Sequence, residues 1–295
     1  PSDLTRFFLW ALGEYLGATG DRGFLEERAP YYPRDARPNA TVLSHLRGSV
    51  RHLFDVVGTG EHGLVRIGTG DWSDGIVVEA KDRPLAIAKG ESIPNTQMAV
   101  ADLIEARDSA LAGEIREKVA DYRSALSGAH NGKFFYRAYF GDGKPAYADT
   151  VNLEAQVWAL IGNTAEPAQL EQELLTEIAS RLDDPSPIGA SLLPGAQVWP
   201  AISALLTWGY AKRAPERAFA HFARNTLSAH ARAFPHIWYG IWSAPDGLDS
   251  TTGLTWSSQV TPMLDFPTQN NNAHVMPLLA ALRVAGIDAN AHGLV

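Results

Sequence analysis

The chain has 295 residues, of which 45% are hydrophobic and 20% charged, and its 25 Lys and Arg face 33 Asp and Glu for a formal net charge of −8. This length suffices for one large domain or two small ones with a buried core. The acidic balance argues against nucleic-acid binding, and the absence of cysteine excludes disulfides and thiolate chemistry. No apolar run approaches the roughly 18–20 residues that span a bilayer. We therefore expect no nucleic-acid or membrane partner, and a cytoplasmic location with the periplasm as the alternative.

Apolar residues recur with a helical period along most of the chain. The first such segment ends at Gly20, and glycine commonly closes a helix. The pattern predicts about nine helices, at residues 7–16, 39–54, 95–111, 114–127, 149–162, 168–182, 197–213, 215–233 and 273–285.

Four long connections rich in Gly, Trp and Asp separate these helices: 58–92, 128–148, 183–196 and 234–272. Loops of this length inside a compact domain are usually either functional or disordered, and the aromatic residues and single carboxylates in these loops predict that they are ordered. Strand patterns are short. Residues 133–140 predict a strand that turns at 141–143, and residues 64–67 predict a second.

These elements predict an all-α fold, an incomplete (α/α)6 toroid-like barrel with long ordered loops and a small β-hairpin. A closed ring of six helical hairpins would need about twelve helices, three more than the pattern supplies. The chain is therefore predicted to be part of a larger one.

The strongest chemical motif is the segment 68–75, G-T-G-D-W-S-D-G, in which Asp71 and Asp74 flank Trp72. An indole face stacks on the C–H face of a pyranose, and an apolar wall raises the pKa of a carboxyl towards the range of a general acid. The motif therefore suits sugar chemistry. A tight turn with aspartate caps around a core tryptophan explains the same residues equally well.

A second cluster of aromatic residues and hydrogen-bonding side chains falls in the last long connection. It contains Trp238, Trp242 and Trp256, with Asp246 and Asp265 nearby in sequence. Stacking platforms together with polar side chains are what a neutral polyhydroxylated ligand requires. The alternative is that these aromatic residues cover helix ends.

With these residues in view, the chain resembles glycoside hydrolase family 94, formerly glycosyltransferase family 36, which includes cellobiose, chitobiose and β-oligoglucan phosphorylases. Residues 68–75 are similar to the family's G-x-G-D-W-N-D-G loop, and residues 59–64 are similar to the segment that leads into it. Residues 136–143 and 156–159 are similar to its R-A-Y-x-D-D-G and Q-S-W-A segments, and residues 2–10 to its S-D-D-x-x-L-W element.

The resemblance implies a role for several residues. Asp74 matches the general acid, Trp72 lines the donor subsite, and Asp3 would hold donor hydroxyls. The further candidates for substrate contact are Asp71, Arg137, Gln156, Trp199, Trp238 and Trp242.

The family's catalytic barrel is a six-fold α/α toroid that follows a β-sandwich domain. The resemblance therefore predicts that 1–295 is a single catalytic domain, the C-terminal part of a larger chain without the sandwich. Family phosphorylases are often dimers, which makes a homodimer one expected assembly. No cofactor and no metal are expected.

One family element departs from its pattern in this chain. Leu192 and Trp199 stand where the E-N-G-G-x-x-x-H element has a sugar-contacting Glu and a phosphate-binding His. An anion site requires charge-assisted donors, whereas Trp offers one neutral N–H. Two inverting reactions therefore stay open: phosphorolysis of a β-linked oligosaccharide, with inorganic phosphate as co-substrate, and hydrolysis or transglycosylation.

In a hydrolase, a base about 6.5–9.5 Å from the acid activates water. Glu154, Asp246 and Asp265 are the candidates for this base. A third hypothesis is a non-catalytic carbohydrate-binding domain of a larger glucan-processing protein.

Overall fold

The computed structural model describes residues 2, 4–33, 39–73, 75–105, 111–236, 247–255, 271–290 and 293–294. The chain divides into two compact units. The first comprises residues 1–125, 140–142 and 288–295, and the second comprises residues 126–139 and 143–287. Among the described helices, none combines the length and the apolar character that crossing a membrane requires.

Eleven α-helices lie in the described part of the chain, so the predicted mostly helical class is confirmed. They are α1 (Leu4–Thr19), α2 (Val42–Arg51), α3 (Arg83–Lys89), α4 (Ile93–Glu105), α5 (Ala112–Leu126), α6 (Glu154–Ile161), α7 (Ala168–Ile178), α8 (Pro200–Arg213), α9 (Pro215–Arg224), α10 (Leu227–Ala233) and α11 (Asn271–Val284). π-helical turns at His52–Val57 and Ala179–Asp183 extend α2 and α7, and 3-10 turns lie at Arg22–Glu26 and Ile76–Val78.

In the described part of the chain, every strand is two residues long. They are β1 (Arg28–Ala29), β2 (Ala40–Thr41), β3 (Glu91–Ser92), β4 (Ala138–Tyr139), β5 (Pro145–Ala146), β6 (Gln197–Val198), β7 (Leu248–Asp249), β8 (Ala289–Asn290) and β9 (Gly293–Leu294). Antiparallel pairs join β1 to β2, β4 to β5, β6 to β7 and β8 to β9.

In the first unit, α1 packs against α2 and α4. Leu9 and Leu12 of α1 and Leu46 and Val50 of α2 are buried, as their three- and four-residue spacing predicts for one helix face. Thr41 begins α2, because its hydroxyl accepts the backbone N–H of Ser44 at 3.2 Å. This is the ordinary way to satisfy a free N–H at a helix start.

Helix α3 lies inside the segment 58–92, which the sequence predicted as a connection. Its start is marked by Asp82, whose carboxylate accepts the N–H of Leu85 at 2.9 Å, and by Pro84 in the first turn. Aspartate before a first-turn proline is a recognised helix-start pattern. The prediction of a helix-free connection was therefore wrong at this point.

In the second unit, α8 is the central helix and packs against α6, α9 and α11. Every residue from Pro200 to Tyr210 is buried. A helix that is apolar on all sides belongs in a core, and α8 follows this rule.

The predicted helix over 215–233 is two helices, α9 and α10. The chain breaks at Asn225 and Thr226, and the Thr226 hydroxyl accepts the N–H of Ala229 to begin α10. This break and the unpredicted α3 account for the difference between nine predicted helices and the eleven described.

The predicted strand over 133–140 is reduced to Ala138–Tyr139, paired with Pro145–Ala146. Its first half cannot extend the ladder, because the backbone N–H and C=O of Phe135 are bonded to the side chain of Gln156. The predicted strand at 64–67 is present as two single bridges, from Val65 to Thr59 and from Arg66 to Glu91.

Candidate active site

The segment 68–75, termed the acid loop below, lies in the first unit. Asp74 itself lies outside the described residues, but the chain on either side of it is fixed. The C=O of Ser73 accepts the N–H of Ile76 at 3.0 Å, and Ile76 and Val77 are buried. The backbone that flanks the predicted general acid is therefore anchored at both ends.

Asp71 is fully buried within the acid loop. Its Oδ1 accepts the backbone N–H of Ser73 at 3.0 Å, and its Oδ2 accepts the hydroxyl of Ser92 at 2.6 Å. These bonds tie the acid loop to the residue that precedes α4. Contact between Asp71 and a substrate stays a prediction.

A second tie holds the acid loop at Gly70. The C=O of Gly70 accepts the backbone N–H of Ser2 at 2.9 Å and its hydroxyl at 3.2 Å. The Ser2 hydroxyl accepts in turn from the Asn95 side chain, whose Nδ2 lies 2.7 Å away. Asp3, which would hold donor hydroxyls, directly follows Ser2 but lies outside the described residues.

Trp72 is half-buried and packs edge to face on Phe7 of α1. The two ring centroids are 5.1 Å apart and the planes meet at 71°. This geometry is favourable for aromatic pairs and fixes the orientation of the indole. Its role in a donor subsite stays a prediction.

Upstream of the acid loop, the chain folds around the buried carboxylate of Glu91. Its Oε1 accepts the backbone N–H groups of His62 and Leu64 at 3.0 and 3.1 Å, and its Oε2 lies 2.6 Å from His62 Nδ1. A Cβ added at Gly60 would lie 2.4 Å from Glu91 Cγ, so this approach requires glycine.

The sequence reasoning missed Glu91 and Ser92. A signal for Ser92 does exist, because its hydroxyl accepts the N–H of Asn95 at 3.2 Å as a helix cap does. Serine immediately before the first residue of an apolar helix is a helix-start pattern. The bond from Ser92 to Asp71 has no such signal, because it joins residues 21 positions apart.

In the second unit, Arg137 and Glu154 form a buried ion pair, with Arg137 Nε 3.1 Å from Glu154 Oε2. Glu154 begins α6, where Asn152 Oδ1 accepts its backbone N–H at 3.0 Å. Substrate contact by Arg137 and base function for Glu154 both stay predictions.

Gln156 is fully buried and bonds to backbone on both sides. Its Oε1 accepts the N–H of Phe135 at 3.0 Å, and its Nε2 donates to the carbonyls of Phe135 and Asn152 at 2.9 and 2.8 Å. These contacts give Gln156 a structural role. Its predicted contact with substrate is not tested by them.

The segment that departs from the family element forms a turn before α8. Leu192 is held at both backbone groups, by the C=O of Gln197 at 2.8 Å and by the N–H of Leu153 at 2.9 Å. Trp199 is half-buried and directly precedes α8. Trp199 directly follows Val198, the last residue of β6, which is paired with Leu248 of β7.

Gly247 directly follows a part of the second aromatic cluster that is not described. Trp238, Trp242 and Asp246 belong to that part, and Asp265 is also outside the described residues. Their predicted roles in substrate binding or as a base therefore stay predictions.

A buried polar network in the second unit was also missed. His221 Nδ1 lies 2.7 Å from Asp183 Oδ1, and His221 Nε2 lies 3.1 Å from the Ser203 hydroxyl. This is the atom order of a Ser-His-Asp triad, but all three side chains are at most 1% exposed, so no substrate reaches the serine.

Asp183 also bonds to Arg217 and Arg224 of α9. Burial acts to raise the pKa of Asp183, but bonding to His221 and the charge of Arg224 outweigh it and hold that pKa below its ordinary value. The Asp183 network is therefore a set of charged hydrogen bonds that joins the end of α7 to α9.

A mostly helical fold and a loop in which Asp71 and Trp72 are adjacent in sequence are compatible with a carbohydrate-active enzyme, and the sequence comparison identifies that class. Residues 4–192 match the sequence model described as "Glycosyl hydrolase 94 superfamily, catalytic domain". Because the match covers more than half of the chain, the chain belongs to this family. The resemblance drawn from the sequence is confirmed.

Among curated proteins, the chain is similar to the solabiose phosphorylase of Paenibacillus borealis, with 30% identity over 182 residues. The alignment covers 58% of this chain and 23% of that protein. The chain thus spans about a quarter of the length of the curated relative it matches.

Two solved structures share the fold. One, described as "Glycosidase E335A in complex with glucose", superposes with a TM-score of 0.62 at 13% identity, over 97% of this chain and 67% of that one. The other is a GH78 family rhamnosidase of Bacillus sp. GL1, with a TM-score of 0.59 at 14% identity over 96% and 26%. Structural neighbours of this kind are of the (α/α)6 barrel type that the sequence predicted.

Proposed function

We propose that this chain carries the catalytic domain of an enzyme that cleaves a β-glycosidic bond with inversion, by phosphorolysis to a sugar 1-phosphate. The observation that carries the proposal is the anchoring of the acid loop on both sides of Asp74, through Asp71 and through Ser73 and Ile76. Family membership and the phosphorylase among its relatives support phosphate as the nucleophile.

The reaction is a single displacement. A phosphate oxygen attacks the anomeric carbon from the face opposite the leaving group, and the bond from that carbon to the glycosidic oxygen breaks. The electron pair goes to the glycosidic oxygen, which takes the proton of the Asp74 carboxyl. The products are a sugar 1-phosphate of inverted configuration and the shortened saccharide, and Asp74 regains a proton from solvent.

A second candidate is hydrolysis on the same scaffold. The observation that favours it is the presence of Leu192 and Trp199 where the family element has Glu and His. Water then replaces phosphate, and a carboxylate removes its proton. The base candidates are Glu154, which is paired with Arg137, together with Asp246 and Asp265.

The proposal takes an oligosaccharide and inorganic phosphate as substrates, with no cofactor. The proposal also includes a cytoplasmic location and a homodimer, both of which were expected from the sequence. Solabiose, the substrate named for the curated relative, is the first disaccharide to test, beside β-linked gluco- and chito-disaccharides.

The experiment measures product formation by the full-length enzyme with and without inorganic phosphate. Sugar 1-phosphate that forms only with phosphate supports phosphorolysis, whereas free sugar at equal rates without phosphate establishes hydrolysis. No cleavage of any substrate, with saccharide binding retained in a titration of tryptophan fluorescence, would establish a carbohydrate-binding domain.

Asp74→Asn tests the general acid. We expect a loss of about 10²–10⁴-fold in kcat on a disaccharide, because the alkoxide then leaves without a proton. A dinitrophenyl β-glycoside needs no protonation at its leaving oxygen, so the same variant should lose far less on it. An equal loss on both substrates would contradict the role of Asp74.

A further inference from the structure

We propose that Ser92 is a positioning residue for the general acid, acting through Asp71. The inference rests on the proposed function, because it assumes that Asp74 protonates the leaving oxygen. Ser92 lies immediately before α4 and is not part of the acid loop.

The Ser92 hydroxyl is fully buried and engaged on both of its sides. It donates its proton to Asp71 Oδ2 at 2.6 Å and accepts the N–H of Asn95 at 3.2 Å. The backbone of Ser92 is also fixed, since its N–H donates to the C=O of Val65 at 2.8 Å. The bond from the Asn95 N–H and the backbone bond to Val65 therefore together fix the direction of the Ser92 hydroxyl.

The same helix turn holds the chain around the acid loop at further points. Thr96 accepts the N–H of Val65 at 2.9 Å and donates to the C=O of Ser92 at 2.7 Å. Asn95 bonds to Ser2, which bonds to Gly70. The start of α4 is thus a rigid platform to which the acid loop is tied.

A continuous series of bonds leads from this platform to the residue beside Asp74. Ser92 holds Asp71 Oδ2, and Asp71 Oδ1 holds the backbone N–H of Ser73, which directly precedes Asp74 in the chain. Displacing a catalytic group by about 1 Å can cost two orders of magnitude in rate. Without the Ser92 hydroxyl, the buried Asp71 carboxylate loses a hydrogen-bond donor, and this bond no longer holds Asp71 at the start of α4.

A purely structural role makes a different prediction. If Ser92 only caps α4, its removal lowers stability and leaves the chemistry of the folded enzyme unchanged. If it positions the acid, its removal lowers kcat, leaves KM nearly unchanged, and has its effect only while the acid is present.

A double-mutant cycle between Ser92→Ala and Asp74→Asn separates these roles, measured as kcat and KM on the disaccharide that the full-length enzyme cleaves. We expect Ser92→Ala alone to lower kcat about tenfold with KM changed less than about twofold. In the Asp74→Asn background, Ser92→Ala should change kcat less than about twofold.

An equal loss in both backgrounds would overturn the inference, as would an unchanged kcat in Ser92→Ala. Failure of the proposed function has a separate signature, namely an Asp74→Asn variant with the kcat of the unmodified enzyme. Asp71→Asn changes the same bond from its other end and serves if Ser92→Ala does not fold: a lower kcat with KM nearly unchanged supports the inference, whereas a higher KM with kcat unchanged would assign Asp71 to substrate contact and overturn it. The Asn side chain can still accept the Ser73 N–H.

Ser203→Ala is the matched control, because the Ser203 hydroxyl is equally buried and accepts the N–H of Ala190 at 3.1 Å. It should lower the free energy of unfolding while leaving kcat unchanged. A loss of kcat in Ser203→Ala as large as that in Ser92→Ala would mean that the assay reports global destabilisation, and the inference would be rejected.

Discussion

Two buried aspartates, Asp71 in the first unit and Asp183 in the second, show how differently a carboxylate can be used. Asp71 accepts from a loop N–H and from a hydroxyl at a helix start. Asp183 follows α7 and bonds to Tyr210 of α8 and to His221, Arg217 and Arg224 of α9. Both aspartates are buried, so their different roles follow from the location of their partners. Asp71 holds a loop in place, whereas Asp183 joins helices.

The largest expected effect is on the Asp183 side of this comparison. Asp183→Ala should lower the free energy of unfolding by about 3–5 kcal/mol, because it leaves His221 and two arginines without their buried partner. Urea unfolding measures the change. Asp184→Ala is the control, since Asp184 also pairs with Arg217 but is 54% exposed, and it should cost less than about 1 kcal/mol. Equal losses of unfolding free energy in Asp183→Ala and Asp184→Ala would contradict the larger stabilisation assigned to the buried aspartate.

On the loop side, Gly60→Ala should lower the free energy of unfolding by about 1–3 kcal/mol, because its Cβ would overlap the Glu91 side chain. Gly113→Ala offers a matched control in α5, where an added Cβ meets nothing within 4 Å and alanine favours the helix. If Gly60→Ala is as stable as Gly113→Ala in urea, the folding of the loop around Glu91 is not as described.

A third buried aspartate, Asp102 of α4, sharpens the comparison through pH. Burial raises its pKa well above 3.8, Arg6 opposes this and Glu14 adds to it, whereas the pKa of Asp183 is lowered. A raised folded-state pKa gives stability that is present below the unfolded value and is lost as pH rises towards the folded value.

Asp102→Asn should therefore gain stability relative to the unmodified chain as pH rises from about 4, with a slope of at most about 1.4 kcal/mol per pH unit. Asp183→Asn should show the opposite sign, losing its disadvantage as pH falls below about 4. Urea unfolding at a series of pH values measures both slopes. Parallel curves for the two variants would show that their pKa values are not shifted in opposite directions.

The smallest expected effect compares Trp72 of the acid loop with Trp208 of α8. Trp72→Phe should raise KM for the disaccharide about fivefold, because a smaller ring stacks less well on a sugar. Trp208 is buried, and the charged groups of Lys212 and Arg283 lie 5.4 and 4.8 Å from its ring centroid. Trp208→Phe should lower stability without changing KM, and a rise in KM for both variants would count against sugar stacking on Trp72.

The sequence predicted the helical class and the acid loop because both depend on local patterns. The run that forms α8 and the residues 68–75 are continuous in the chain. Helix α3 was missed although Asp82 and Pro84 mark its start. The shortened strand at 138–139 could not be foreseen, because the amide of Gln156, distant in sequence from Phe135, replaces a strand partner there.

The parts that stayed hidden are bonds between distant segments. Ser92 meets Asp71 across 21 positions, and His221 meets Asp183 across 38. Each residue type has many ordinary uses, and only the folded backbone selects its partner. Contacts of this kind therefore need the structure, whereas a continuous motif such as residues 68–75 can be recognised in the sequence alone.

A single displacement assisted by Asp74 inverts the anomeric carbon, and proton NMR of the first-formed product measures the configuration of that carbon. The spectrum is recorded within minutes of mixing the full-length enzyme with a β-linked disaccharide and phosphate, before mutarotation of any free sugar. The account predicts an α-configured product, the sugar 1-phosphate or, in hydrolysis, the free sugar. A β-configured first product would show retention through a covalent intermediate and would contradict the account.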